Sequence, residues 1–128
     1  MNAQQKHALL LRETDLQGAI RRFNGDEQLY LSCLELFLQD QTMVQLNEAL
    51  ENQSWDEAFT AAHALKGLAG NMGFVPLMHA VSQLVVLIRG GRIKEIGEAM
   101  EQVNSCYRDI VDAIHQYFTF TNEGERDK

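Results

Sequence analysis

The sequence predicts an all-α domain, an antiparallel up-down four-helix bundle with a short extra N-terminal helix. Apolar residues recur at intervals of three and four along most of the chain, and no segment sustains the alternation that is typical of strands. Four short breaks rich in Gly, Asn and Ser separate these helical patterns. Because connections of about two to four residues require neighbouring helices to run antiparallel, we expect the helices to alternate in direction.

Each break contains residues that end or begin helices. Ser54 followed by Glu57 is typical of a capping box, which starts a helix. Gly73 is suited to end a helix, and Pro76 to be the first residue of the next one. Gly90-Gly91 forms the last break. The breaks divide the chain into one short and four longer predicted helices, near residues 15–23, 26–51, 55–72, 76–89 and 92–118.

The length of the chain is that of one domain with a sizeable core, since it has 128 residues. We predict that the domain covers residues 15–120. Residues 1–14 form an N-terminal segment in which Ala8 to Leu11 is apolar enough to pack as an extra helical turn, and the polar residues 121–128 are expected to fray. The last helix has the most regular apolar pattern, made by Ile93, Ile96, Met100, Val103, Tyr107, Ile110, Ile114 and Tyr117.

Composition and charge exclude several classes of function. The formal net charge is −7 and the basic residues are scattered, which argues against nucleic acid, because phosphate backbones are bound by clustered Lys and Arg. No apolar run approaches the roughly 18 residues that span a bilayer, and no signal-like segment follows the first residues. Cys33 and Cys106 lie far apart in helical patterns, so we expect reduced, buried thiols. These features predict a cytoplasmic protein, and a monomer is the default expectation.

Metal and nucleotide sites find no support in the sequence. His7, His79 and His115 lie on separate segments without a partner one turn away, so no convergent set of metal ligands is visible. No carboxylate pair is marked out by its surroundings, and there is no glycine-rich phosphate loop. We therefore expect neither a metal centre nor an ATP-dependent kinase in this chain.

One face of the predicted helix 55–72 is nearly bare of side chains around His63. With an advance of about 100° per residue, His63 falls roughly 120° from the centre of the apolar stripe. Gly67 lies one turn beyond His63 and Gly70 on its other flank, although each glycine inside a helix costs about 1 kcal/mol relative to alanine. We infer close approach of another molecule to an exposed imidazole, with positive charge from Lys66. The stripe consists of Trp55, Ala58, Phe59, Ala62, Leu65, Ala69 and Met72.

The segment from Ala62 to Gly73 closely resembles the phosphorylation motif of histidine-containing phosphotransfer (HPt) domains. That motif reads His-x-Leu-Lys-Gly, followed by small residues and by a glycine ten positions after the histidine, here Gly73. The similarity covers about residues 15–118, with further matching stretches at 22–30, 36–40 and 54–58. The chain departs from the family pattern at Leu68, where a small residue is usual, and at Leu84-Val85-Val86, where a Leu-Glu pair is common.

The resemblance implies a phosphorelay carrier of two-component signal transduction. A neutral imidazole is a good nucleophile, and His63 would accept a phosphoryl group from a receiver-domain aspartate and pass it to another receiver. Lys66 would stabilise charge on the phosphoryl oxygens. The receiver would supply Mg²⁺ and most of the catalysis, so the chain is expected to bind no cofactor and to be a phosphocarrier rather than an enzyme. A hybrid sensor histidine kinase is the other implied partner.

A docking surface for receivers is expected around His63. Gly67 is interpreted as clearance, because a Cβ there would stand beside the imidazole. For Gly70, clearance and tight helix packing are both open, and Leu68 either enters the core or adds an apolar contact to the docking surface. The expected docking residues are Gly67, Gly70, Thr60, Ala64 and Leu68.

Two other functions stay open at this point. One is the substrate domain of a chemotaxis-type kinase, whose similar helix takes phosphate that originates from ATP; an ATP-binding module in a longer cognate protein would favour it. The other is a module that binds receivers without transferring phosphate, against which the intact His63 and Lys66 count. The sequence also leaves open whether the chain acts alone or is a domain of a hybrid kinase, and in which direction phosphate flows.

Overall fold

The computed structural model describes residues 1–120, and its regular elements are all α-helices. The predicted all-α class is therefore confirmed. The residues predicted to fray, 121–128, lie outside the described part of the chain. The helices are α1 (Ala3–Leu11), α2 (Leu16–Arg22), α3 (Glu27–Gln39), α4 (Thr42–Glu51), α5 (Trp55–Met72), α6 (Val75–Arg89) and α7 (Ile93–Tyr117).

The last four helices pack against each other in chain order. α4 contacts α5, α5 contacts α6, and α6 contacts α7, while α2 and α3 also pack on α5 and α1 packs on α7. Residues 52–54, 73–74 and 90–92 connect α4 to α7, and connections this short favour antiparallel neighbours. The helix that carries His63 thus lies among four others. In residues 1–120, no helix has both the length and the apolar character needed to cross a membrane.

The single helix predicted over 26–51 is wrong, because the chain breaks between α3 and α4. Asp40 leaves the helix with φ −68° and ψ 139°, and its carboxylate accepts a hydrogen bond from the Thr42 N–H at 2.8 Å. An Asp side chain that bonds to nearby backbone competes with the helical ladder. The break shifts the phase of the apolar face, whose buried residues are Tyr30, Leu34 and Phe37 in α3 and Met43, Leu46 and Ala49 in α4.

The starts of α5 and α6 differ from the sequence predictions. Ser54 is the N-cap of α5, but its hydroxyl makes no capping hydrogen bond, so the predicted capping box is wrong. Asp56 and Glu57 instead place negative charge in the first turn, which stabilises the positive end of the helix dipole. α6 begins at Val75, so Pro76 is its second residue rather than its first.

The N-terminal segment forms a whole helix rather than one turn. Asn2 caps α1, since its side chain accepts from the Gln5 N–H at 2.8 Å while the Gln5 side chain accepts from the Asn2 N–H. The side-chain Nε2 of Gln5 also donates to the Tyr117 carbonyl, and Ala8 and Leu9 are buried. α1 is thereby attached to the end of α7.

The ends of α7 are more exposed than the apolar pattern predicted. Ile93 is 52% and Tyr117 37% exposed, because they are the first and last residues of a helix much longer than α6. Between them the pattern is confirmed at Ile96, Met100, Val103, Ile110 and Ile114, which are buried, and Tyr107 is half-buried. The two thiols, Cys33 and Cys106, are free but only half-buried, contrary to the expected full burial.

The C-terminal end of α5 is fixed by bonds from the N-terminal helices. The buried hydroxyl of Tyr30 donates to the Met72 carbonyl at 2.8 Å, and burial raises the pKa of this tyrosine. The Asp15 N–H donates to the Gly73 carbonyl at 2.8 Å. Gly73 ends α5 with φ +80°, and a Cβ on it would lie 2.6 Å from the Asp15 carbonyl oxygen. Gly73 therefore does more than terminate the helix: it permits the chain before α2 to approach it closely.

Candidate functional site

His63 is solvent-exposed in the middle of α5, on the opposite side from the core. The apolar stripe of α5 explains this orientation, because burying one side of the helix turns His63 outward. The stripe is confirmed at its centre, whereas Trp55 and Phe59 at its edge are only half-buried. The buried members are Ala58, Ala62, Leu65, Ala69 and Met72.

An aromatic ring lies beside the imidazole, and a cation lies beside that aromatic ring. The rings of Phe59 and His63 are nearly parallel, with 7° between their planes and 6.1 Å between their centroids. The guanidinium carbon of Arg89 in α6 lies 5.0 Å from the centroid of the Phe59 ring. Sequence reasoning assigned Phe59 only to the core stripe, although its spacing of four residues from His63 was a usable signal. Arg89 had no signal, since its approach depends on how α6 packs on α5.

A shallow depression of about 420 Å³ lies beside His63, between α5, α2 and α6. It brings together four of the predicted site residues, and it adds three that were not predicted to belong to the site. Lys66 is half-buried there, and within residues 1–120 no carboxylate pairs with it. Its charge is thus available to an anion at the imidazole. The lining residues are His63, Lys66, Gly67 and Gly70, with Arg22, Asn71 and Met78.

Arg22 brings a second cation from α2 to this depression. Its Nη2 donates to the Gly70 carbonyl at 2.7 Å and to the Asn71 carbonyl at 3.2 Å, and its Nε donates to the same Asn71 carbonyl at 3.3 Å. These carbonyls belong to the last turn of α5, where the helix dipole is negative. Arg22 therefore both caps α5 and makes the depression more positive.

The two glycines of the site have different surroundings. A Cβ built on Gly67 meets no atom within 4 Å, so packing inside the chain gives no reason for the glycine. The predicted contact of such a Cβ with the His63 imidazole is not found either, since no atom of that side chain lies within 4 Å. The space beside Gly67 is open, and its use as clearance for another molecule stays a prediction. A Cβ on Gly70 would lie 3.2 Å from the sulfur of Met78, which favours helix packing between α5 and α6 as its reason.

The other expected docking residues do not line the depression. Thr60 and Ala64 line a separate groove of about 490 Å³ between α4 and α5. Glu48, Asp56 and Glu57 also line this groove and make it acidic. Leu68 is half-buried and packs against the core. His63 accordingly lies between an acidic groove on one side of α5 and a basic depression on the other.

Replacing Gly67 by alanine should stabilise the fold. Because the site is open and helical, Gly67→Ala is expected to raise the free energy of unfolding by about 0.5–1 kcal/mol. Urea unfolding followed by circular dichroism measures this. Gly97 in α7 is also helical with nothing within 4 Å of a Cβ, so Gly97→Ala is the matched control and should give the same gain. A loss of stability for Gly67→Ala alone would show that the glycine has a structural role.

The remaining polar residues do not form a second centre. In residues 1–120, no three His, Cys, Asp or Glu side chains are arranged to hold a metal ion. In the region where the resemblance lacks its usual Leu-Glu pair, Leu84 and Val85 are buried and Val86 is exposed.

Comparison with known proteins bears on the region that contains this site. The family model described as the Hpt domain matches residues 33–117, which is more than half of the chain. The match includes α4 to α7 and the exposed His63. No curated protein and no solved structure matches the chain.

Proposed function

Because the chain belongs to the Hpt domain family, whose members carry phosphoryl groups on histidine in two-component signalling, we propose that His63 is the phosphorylated residue of a phosphorelay carrier. His63 accepts the group from an aspartate of one receiver domain and passes it to an aspartate of another. The observation that carries this proposal is an exposed imidazole beside open space at Gly67 and beside a lysine that pairs with no carboxylate within residues 1–120. The carrier is a cytoplasmic monomer that binds no cofactor.

The proposed transfer is an in-line displacement at phosphorus. An imidazole nitrogen of His63 attacks the aspartyl phosphate, a nitrogen–phosphorus bond forms, and the bond from phosphorus to the carboxylate oxygen breaks. The carboxylate of the receiver leaves with the electron pair. The return transfer follows the same path in reverse. Catalysis depends mainly on positioning and on charge stabilisation, for which the receiver provides Mg²⁺.

The positive charge of the depression beside His63 would stabilise the negative charge of the phosphoryl group on His63. Lys66 is one turn from His63, lines the same depression, and is free of carboxylate partners within residues 1–120. We assign it to the phosphoryl oxygens, since charge-assisted hydrogen bonds to phosphate are strong. Arg22 is already bonded to the end of α5, so it contributes through its field rather than through contact.

The receiver docks across the open surface at Gly67. Gly67→Leu is expected to slow transfer from a phosphorylated receiver by about tenfold or more, because a side chain there occupies the space that the partner needs. The reaction of His63 with a small phosphoramidate donor should be nearly unchanged. Time courses of His63 phosphorylation with each donor, quenched at intervals, separate a loss of docking from a loss of reactivity.

Gly97→Leu is the matched control for bulk, since Gly97 is equally open but lies in α7. It should transfer phosphate like the wild type. An equal loss with both donors in Gly67→Leu would contradict the steric explanation, because the small donor does not dock.

The proposed function is tested by phosphoryl transfer from a panel of Mg²⁺-loaded, phosphorylated receivers. Acid-labile, alkali-stable phosphate mapped by mass spectrometry to His63 would establish the carrier and identify a partner. Labelling of His63 by a chemotaxis-type kinase with ATP, but by no receiver, would establish a kinase substrate domain instead. Binding of receivers without any phosphate on His63 would establish a docking module.

A further inference from the structure

The ring of His63 lies parallel to the ring of Phe59, the residue one turn before it in α5. No hydrogen bond within residues 1–120 involves the imidazole, and His63 is exposed. The last torsion of a histidine side chain is broad and roughly two-fold, so an exposed imidazole without partners samples many ring planes. A nucleophile that must attack in line benefits from a fixed direction.

The stack on Phe59 fixes this direction without blocking the reaction. The lone pair of a ring nitrogen lies in the plane of the imidazole and points out from its edge. The ring of Phe59 is parallel to that plane within 7°, at a centroid distance in the range of offset stacking. A parallel neighbour at this distance restricts tilting of the imidazole plane, and the attack uses the edge of the imidazole rather than its face. Because the lone pair lies in the plane of the imidazole, fixing that plane limits the directions from which the nitrogen can attack.

Phe59 is itself held from two directions. It is half-buried and packs against the core cluster, and the guanidinium of Arg89 lies 5.0 Å from the centroid of its ring. A cation at this distance from an aromatic face is attracted by the ring quadrupole. Because Arg89 is the last residue of α6, this contact links the orientation of the Phe59 ring to the packing of α6 on α5.

We propose that Phe59 is a positioning residue that orients the His63 imidazole for in-line transfer, and that Arg89 holds Phe59 in place. The proposal rests on the proposed function, since it concerns the same nucleophile. Phe59→Leu keeps an apolar side chain but removes the stack. It should slow transfer from a receiver by about three- to tenfold, the range that an aromatic pair accounts for. Transfer from a small phosphoramidate, which approaches from any direction, should change by less than about twofold.

Conservative and control variants separate orientation from packing. Phe59→Tyr retains the ring and should transfer like the wild type. Phe118 and Phe120 stack in the same geometry, with 6.1 Å between centroids and 8° between planes, beyond the end of α7. Phe120→Leu is thus a matched loss of one stacked ring away from His63, and it should leave transfer unchanged. Wild-type rates in Phe59→Leu, or equal losses in Phe59→Leu and Phe59→Tyr, would overturn the proposal.

A double-mutant cycle tests the role of Arg89. Arg89→Gln should slow receiver transfer, and Arg89→Lys should restore it, because a lysine also provides a cation above the ring. In the Phe59→Leu background, Arg89→Gln should have no further effect, since its action runs through Phe59. Additive losses would show that Arg89 acts independently of Phe59, and would refute this part of the proposal.

NMR gives a readout that does not depend on any partner. Nuclear Overhauser contacts between the ring protons of Phe59 and His63 are expected in the wild type and in Arg89→Lys, and should weaken in Arg89→Gln. Their absence in the wild type would refute the stack even if transfer occurs. Their presence in a protein that accepts phosphate from no receiver would refute the carrier function and leave the orientation of the ring established.

Discussion

His63→Gln is expected to accept no phosphate from any receiver that phosphorylates the wild type, a loss of more than about a thousandfold. The amide of glutamine is not a nucleophile, and no other histidine lines the depression. Glutamine is a good helix former, and position 63 is exposed, so the free energy of unfolding should stay within about 0.5 kcal/mol. Transfer assays and urea unfolding of the same preparation measure both quantities.

The other histidines provide controls for this substitution. His79 in α6 and His115 in α7 are exposed, as His63 is, but lie outside the depression. His79→Gln and His115→Gln should transfer phosphate at the wild-type rate. Acid-labile phosphate that persists in His63→Gln and disappears in one of these variants would assign the carrier role to another helix and refute the site described above.

Gly73→Ala should destabilise the domain by about 3 kcal/mol or more. Two effects add. The backbone at Gly73 has φ +80°, a conformation that costs an L-residue about 1–2 kcal/mol. In addition, the new Cβ would lie 2.6 Å from the Asp15 carbonyl oxygen, so the chain before α2 must move and the hydrogen bond between Asp15 and Gly73 must weaken. Urea unfolding followed by circular dichroism measures the loss.

Gly25 separates the two contributions. It also has a positive φ, +79°, but a Cβ there meets nothing within 4 Å. Gly25→Ala should therefore show only the conformational term, about 1–2 kcal/mol. If the two variants lose equal stability, the close approach of Asp15 contributes nothing and the explanation given for Gly73 is wrong.

Features set by neighbours in the sequence were predicted well. The bounds of α5 and the outward orientation of His63 follow from apolar periodicity and from Gly73, which are properties of one segment. The split between α3 and α4 was missed because Asp40 carries no signal that distinguishes a helix breaker from an ordinary exposed carboxylate. Its effect appears only in the bond from its side chain to the Thr42 N–H. The capping box predicted at Ser54 failed for a similar reason, because the sequence does not show whether the Ser54 hydroxyl points toward the first backbone N–H groups of α5.

Features set by contacts between distant segments were not predicted. Met78 next to Gly70, Arg89 over Phe59, and Arg22 at the end of α5 all join residues from different helices. One sequence does not reveal such pairs, because helix periodicity gives the buried face of each helix but not its rotation against a neighbour. For the same reason the acidic groove beside Thr60 was not anticipated.

The hydrogen bonds that the N-terminal residues make to the last turn of α5 affect the local unfolding of this helix. The ends of helices ordinarily fray first, and their amides exchange with solvent without global unfolding. Here Arg22, Tyr30 and Asp15 bond to the carbonyls of Gly70 to Gly73, and all three precede the region matched by the family model. We therefore expect the terminal turn to open only when these bonds from α2, α3 and the segment before α2 break. The first thirty residues would thereby protect the end of the histidine helix, and amide exchange at the C-terminal turn of α5 reports whether they are packed on it.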